Sequence, residues 1–197
     1  KTSNNGIAFN INELQQLSNI RAYLYELLHG YGFSQWDDIM DLLTAQPGKQ
    51  VFSNTHRLLK DREYLILSEI NEKPNESIKI NESQSLVLTP FGQLALDETK
   101  STQTTAKHIV YIDKERLKFP LTLRQWEEGD YFYPSGMTGK KKLSKYFKDV
   151  KLSLLDKEHV WLLCSENDIV WVLNHRVDER FMVTDKTKNI LKIQINQ

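Results

Sequence analysis

Past Pro47-Gly48 the apolar residues of this chain stop recurring every three or four positions and fall into short runs with a period near two. That switch limits the fold more than any other feature. Before it, Leu14, Leu17, Ile20, Leu24, Leu27 and Leu28 lie three and four apart within residues 12–29. This is the stripe of an amphipathic helix, with Gly30 or Gly32 as its stop. A second, shorter helix is predicted in SQWDDIMDLLTA, where Ser34 and Asp37 form an S-x-x-D capping signal. After the Pro-Gly turn, KQVFS, HRLLK and EYLILSEI read as strands, with Asp61-Arg62 as a tight turn. The strands IKI, SLVL, HIVYID and FPLTLRQW follow. WLLCSE-ND-IVWVLN has the pattern of a hairpin, and ILKIQIN closes the chain as an alternating strand.

The order of these elements predicts an α+β chain of two small domains. The first is a helical pair followed by short strands, and the second is a mixed α/β domain. NEKPNES, residues 71–77, is polar and aperiodic and reads as a surface loop. The longest polar stretch, DETKSTQTTA at 97–106, is the best linker, although a long hairpin loop has the same composition. The predicted division is therefore 1–105 and 106–197.

With 40% apolar residues the 197-residue chain has material for packed cores. No run reaches the ~20 apolar residues of a spanning helix. The start, KTSNNGIAFN, lacks the layout of a signal peptide, so a cytoplasmic protein without a membrane partner is expected. Because the chain begins at Lys1 rather than methionine, it reads as part of a longer protein. Cys164 lies in the apolar run WLLC and reads as a buried, inert thiol; a lone cysteine also excludes an internal disulfide.

Formal net charge is zero, but it is unevenly spread. Residues 139–151, GKKKLSKYFKDVK, hold six lysines against one aspartate. Leu143, Phe147 and Val150 fall on one helical stripe with Tyr146 at its edge, while Lys141, Lys145 and Lys148 share another face. One face anchors and the other projects charge. The plain alternative is a solvated helix face, but such a helix normally interleaves acids, and here only Asp149 is available. Anion binding is therefore the favoured reading. Gly136, Gly139 and Lys140 do not complete a P-loop, which needs glycine where Pro134 stands and Ser or Thr where Lys141 stands. The glycines read instead as a tight turn at the helix N-terminus, open to phosphate.

Arg176 and Arg180 would share a face if HRVDER is helical, and Arg124 ends the strand FPLTLR. Forked guanidinium donors suit phosphate, but Asp178 and Glu179 are at hand to pair with them. Trp126, Tyr131, Phe132 and Tyr133 read mainly as core, with base stacking as the alternative. The five histidines, 29, 56, 108, 159 and 175, have no metal-binding spacing. The adjacent carboxylates Asp37-Asp38, Glu127-Glu128 and Asp178-Glu179 point apart in any regular element, which disfavours a catalytic dyad.

The run LTLRQWEEGDYFYPSGMTGKKKLSKYFKDVK at 121–151, then IVWV, then RVDERF at 176–181, resembles the C-terminal domain of the tRNA(Ile)-lysidine synthetases. The likeness covers roughly 117–195. It departs at Tyr131, where many members have arginine, and at Asn174, where they have glycine. The first 105 residues agree with the preceding domain of that family in layout only.

The resemblance implies a carbon–nitrogen ligase that uses ATP with Mg. It adenylates the wobble cytidine of the isoleucine tRNA with a CAU anticodon, and lysine then displaces AMP so that the tRNA reads AUA. That chemistry belongs to a PP-loop domain with an S-G-G-x-D-S motif, and this chain has no Gly-Gly pair. The expectation is thus no catalytic residue, cofactor or metal site among these residues, and no activity from the chain alone. ATP and lysine would act through the catalytic domain, and a homodimer is compatible with the family. By the same resemblance this region grips and discriminates the tRNA. The positions carried over are Arg124, Gly129, Asp130, Gly136, Gly139, Lys140, Lys141, Lys142, Lys145, Lys151, Arg176, Asp178 and Arg180, the glycines and acids as fold-forming. Together with Lys148 from the helical face, the basic residues among them are the expected tRNA-binding set. A-form stems are read largely through phosphates and 2′-hydroxyls, which clustered cations suit. On the residues alone, a protein-interaction module and a DNA-binding regulator stay open as alternatives.

Overall fold

The computed structural model describes residues 2–3, 6–70, 77–102 and 106–196. It divides into two compact units, Lys1–Pro74 with Ser153–Leu155, and Asn75–Leu152 with Asp156–Gln197. The fold is α+β, as expected. Among the described residues no helix is long and apolar enough to cross a membrane.

The first unit runs β1 (Thr2–Ser3), β2 (Gly6–Asn10), α1 (Ile11–Gln15), α2 (Ile20–Leu28), α3 (Trp36–Leu42), β3 (Gln50–Phe52), β4 (His56–Asp61) and β5 (Tyr64–Glu69). Its antiparallel sheet has the order β1-β2-β5-β4-β3. The single helix predicted over 12–29 is two helices, because each of two asparagines starts one. The Asn10 side chain accepts from Asn12 N at 2.9 Å and the Asn19 side chain from Ala22 N at 3.2 Å. Ser34 does not cap α3, whose N-cap position is Gln35 without a side-chain bond. The helices bury Ile11, Leu24, Leu28 and Ile39 against Leu58 and Leu65 of the sheet.

The second unit contains β6 (Ile78–Ile80), β7 (Leu86–Thr89), β8 (Gly92–Thr99), β9 (Ile109–Asp113), β10 (Leu121–Gln125), β11 (Tyr131–Phe132), β12 (Lys141–Lys142), α4 (Leu143–Asp149), β13 (Trp161–Ser165), β14 (Asp168–Val172) and β15 (Ile190–Asn196). A five-residue helix, Leu154–Glu158, precedes β13. Two four-stranded sheets, β14-β13-β10-β6 and β7-β8-β15-β9, share one core that includes Leu94, Ile112, Leu123, Leu163, Trp171 and Ile193. On its other face the first sheet packs Leu162, Cys164, Ile169 and Val172 against Phe132, Leu143 and Phe147. Cover on both faces explains why β13 and β14 read as near-continuous apolar runs rather than alternating ones. The hairpin expected there is present, with a bulge between Leu163 and Cys164.

The predicted boundary near 105 is corrected by long-range pairing. β8 pairs along its length with β15, from Thr99 opposite Ile190 to Gln93 opposite Asn196, and β6 pairs with β10. Residues 78–99 therefore belong with the second half. The stretch read as a linker is the end of β8 followed by a connection to another strand of the same sheet; its residues 103–105 lie outside the described residues. Of the loop predicted at 71–77, residues 71–76 likewise lie outside them.

Candidate nucleic-acid interface

The lysine-rich segment is a two-strand ribbon feeding a short helix. Tyr131 lies opposite Lys142 and Phe132 opposite Lys141, and Leu143 N donates to Asp130 O at 2.8 Å as α4 begins. Leu143, Tyr146 and Phe147 are buried, with Trp126 edge-on to Phe147 at 5.1 Å and Phe132 edge-on to Tyr146 at 5.2 Å. Burying each such side chain contributes roughly 1.5–3 kcal/mol, which holds the helix in place against the repulsion of its own cations. With positions 143, 146 and 147 turned inward, helical spacing sends Lys145 and Lys148 outward, and Lys142 at the N-cap is exposed beside them.

Two expectations change here. Val150 is 41% exposed, because the helix ends at Asp149 and Lys151 turns the chain at φ +56°; Tyr146 takes the expected place of Val150 in the core. Gly136 and Gly139 do take positive φ, +70° and +79°, but β12 stands between them and the helix. The glycine turn therefore shapes the loop ahead of the ribbon rather than a helix N-terminus.

The cations differ in what holds them. Lys140 Nζ sits 3.2 Å from the centroid of the half-exposed Tyr131 ring, a cation–π contact that orients the ammonium while leaving it at the surface. Lys141, on the ribbon, is paired with Asp149. Lys142, Lys145, Lys148 and Lys151 are exposed. Along 139–151 only Asp149 offers negative charge, and Lys141 takes it.

The arginines carried over as RNA contacts are mostly committed elsewhere. Arg124 donates from both terminal nitrogens to the two carboxylate oxygens of Asp130, each at 2.8 Å, and to Gln125 O at 3.0 Å. Asp130 also accepts from Glu127 N, so the pair closes the 127–130 turn. Arg180 binds Asp178 through Nε and Nη2, both at 2.9 Å, and Asp168 through Nη1 at 2.8 Å. Carboxylate hydrogen bonding raises the pKa of both guanidiniums above the ordinary arginine range.

Asp178 is fully buried and also accepts from Tyr133 N and Arg180 N. It caps a 3-10 turn at Glu179–Phe181, so 176–180 is not the helix that would have aligned Arg176 with Arg180. Arg176 is exposed and donates to Ser135 O at 2.6 Å, while Ser135 N donates to Val177 O. These bonds tie the glycine loop to the 175–179 strap. Asn174 has φ +61°, a left-handed conformation that glycine adopts without strain, which accounts for glycine at that position in the related pattern.

The acids Asp130 and Asp178 are fold-forming, as expected. Asp168 as an Arg180 partner and Tyr131 as the seat for Lys140 were missed, since no spacing rule joins positions 9 or 12 residues apart in irregular chain. Cys164 is buried, and burial pushes its thiol up to about 11, which suits an inert role. Burial also raises the Tyr146 phenol, against the opposing pull of Arg176, and lowers the His175 imidazole.

A family model described as "TilS substrate binding domain" matches residues 2–70, and one described as "TilS substrate C-terminal domain" matches 121–195. The chain is 43% identical over 187 residues to a tRNA(Ile)-lysidine synthase of Parabacteroides distasonis, covering 92% of this chain and 42% of that protein. It is 37% identical over 180 residues to the tRNA(Ile)-lysidine synthase of Bacteroides thetaiotaomicron, covering 88% and 39%. The chain thus spans about two fifths of the length of these relatives. A solved structure titled "Crystal structure of TILS C-terminal domain" superposes with a TM-score of 0.51 at 18% identity, covering 62% of this chain and 99% of that one, a likeness of fold.

Proposed function

Because the chain belongs to the TilS family of tRNA(Ile)-lysidine synthases, as its substrate-binding and C-terminal domains, we propose that it is the part of such an enzyme that holds the tRNA. The whole enzyme joins lysine to the wobble cytidine of the CAU-anticodon isoleucine tRNA with ATP and Mg, in the cytoplasm. These 197 residues contain no S-G-G-x-D-S motif, so their contribution is affinity and discrimination.

The observation that carries this reading is the anchored ribbon and helix. Leu143, Tyr146 and Phe147 fix a base from which Lys142, Lys145 and Lys148 project at the surface, with Lys140 exposed on the Tyr131 ring and Lys151 exposed past the helix end. Ammonium groups at an exposed face suit the phosphates of an A-form stem, which offers side chains few base edges. Arg176 joins them from the strap. Arg124 and Arg180 serve by holding the turn and the loop, and Lys141 by pinning Asp149.

The test is a titration of the chain with an unmodified tRNA transcript bearing the CAU anticodon and with a DNA duplex of equal charge. Tighter binding to the tRNA, weakening steeply with salt, is expected. Equal or tighter binding to the duplex would replace this reading with that of a DNA-binding regulator, and binding to neither would leave a protein-interaction module.

A further inference from the structure

The two matched segments carry opposite charge chemistry. Residues 2–70 hold five Lys and Arg against eight Asp and Glu, net −3. Lys60 is buried with its ammonium on the Leu43 carbonyl, and Arg21 is paired with Asp37 at 2.8 Å. A segment with this balance has less to gain from releasing counterions off a phosphate backbone than the lysine-rich one. Contacts to the bases are its other means of holding RNA.

Its surface has the groups for that. Arg21, Tyr25 and His29 recur every four residues along α2 and its C-cap, on one helical stripe. Beneath the helix the core is made by Leu24 and Leu28, leaving Tyr25 48% exposed and His29 exposed. The His29 ring stacks on Tyr25 at 5.3 Å and 11°, and Trp36 of α3 meets the same tyrosine ring at 4.8 Å and 49°. His29 Nδ1 lies 3.0 Å from Tyr25 O and 3.1 Å from Glu26 O; both are acceptors, so Nδ1 carries the proton and the ring is held in place. Beside it Gly30 presents no side chain, and one added there would meet no atom within 4 Å. Three rings are thus ordered in advance, and the terminal one, His29, is exposed.

We propose that Trp36, Tyr25 and His29 form a stacking platform for an unpaired nucleobase of the RNA, a contact independent of the lysines; this rests on the tRNA-binding reading above. Base stacking on aromatic rings tolerates any sequence because every base has a π-face. Rings already packed on one another lose little freedom on binding.

The experiment compares the chain with Y25A/H29A and Y25F/H29F double variants, each checked for cooperative unfolding. Each is titrated with the tRNA transcript and with a fully paired RNA duplex. Expected are ~10-fold weaker tRNA binding for Y25A/H29A, recovery in Y25F/H29F and an unchanged salt slope in both, with duplex affinity unmoved. Unchanged tRNA affinity in a folded Y25A/H29A overturns the platform and leaves the tRNA reading intact. Equal losses toward tRNA and duplex, or a shallower salt slope, overturn it as well. A parent chain that binds no tRNA overturns the reading itself and the platform with it.

Discussion

The ribbon and helix at 131–149 and the strap at 174–181 both carry cations, and they use them in opposite ways. On the helix, apolar side chains do the holding and the lysines are left in solvent; on the strap, Arg180 does the holding by joining buried Asp178 to Asp168. Arg124 repeats the strap's logic on Asp130. A guanidinium fits a carboxylate through two parallel donors and so becomes architecture wherever an acid is placed beside it. An ammonium on a flexible stem at an exposed face stays available to a partner. Density of positive charge in a sequence therefore overstates the binding surface unless each cation is matched against the acids that the fold brings near.

The comparison breaks most visibly if the anchor is removed. Phe147→Ala should cost about 4 kcal/mol of stability, read as a shift in denaturant midpoint, because the ring is fully buried. Arg180→Met should cost about 3 kcal/mol by leaving Asp178 buried without its ion pair, while the salt slope of tRNA binding by the folded variant stays as in the parent. A changed slope would make Arg180 a phosphate contact after all. Lys142→Ala should do the reverse, moving stability by less than about 0.5 kcal/mol and the salt slope by roughly 0.9. Lys141→Ala, which breaks a pair with Asp149, should move that slope less than Lys142→Ala.

A pH-dependent effect is expected at Cys164, packed beside the anchor. Its thiol pKa is raised from about 9 to about 11, mainly by burial. In the fold the thiol stays protonated while the unfolded chain ionises, so stability is full below pH 9 and declines as pH rises toward 11. Cys164→Ala should flatten that decline, measured as denaturant midpoints at pH 7.5 and 10.

Local features were legible in the sequence because they rest on local causes. The strands of the first unit, the β13-β14 hairpin and the alternating β15 follow from period-two patterning and turn residues. The anchored lysine helix follows from positions 143 and 147. What was misread depends on distant partners. The sequence points to a boundary at 105 because nothing in residues 78–99 announces that they pair with 121–123 and 190–196. Pairing and phosphate contact stay equally open for the arginines in the sequence, because Asp178 is adjacent to Arg180 but Asp168 reaches it only through the fold. Val150 kept its place on the predicted stripe, but the helix stopped one residue short of it. Tyr25 and His29 are legible in the sequence as aromatic rings on the solvent side of an amphipathic helix, in a segment whose acidity gives no charge signal.

The central claim is that exposed lysines, and not the paired arginines, meet the phosphates. It is tested most directly by tRNA titrations of the parent and of K142A/K145A/K148A across a salt series. The account predicts an intact fold and a slope of log affinity against log salt that is shallower by roughly 3 for the triple variant. An unchanged slope with the fold intact would contradict it.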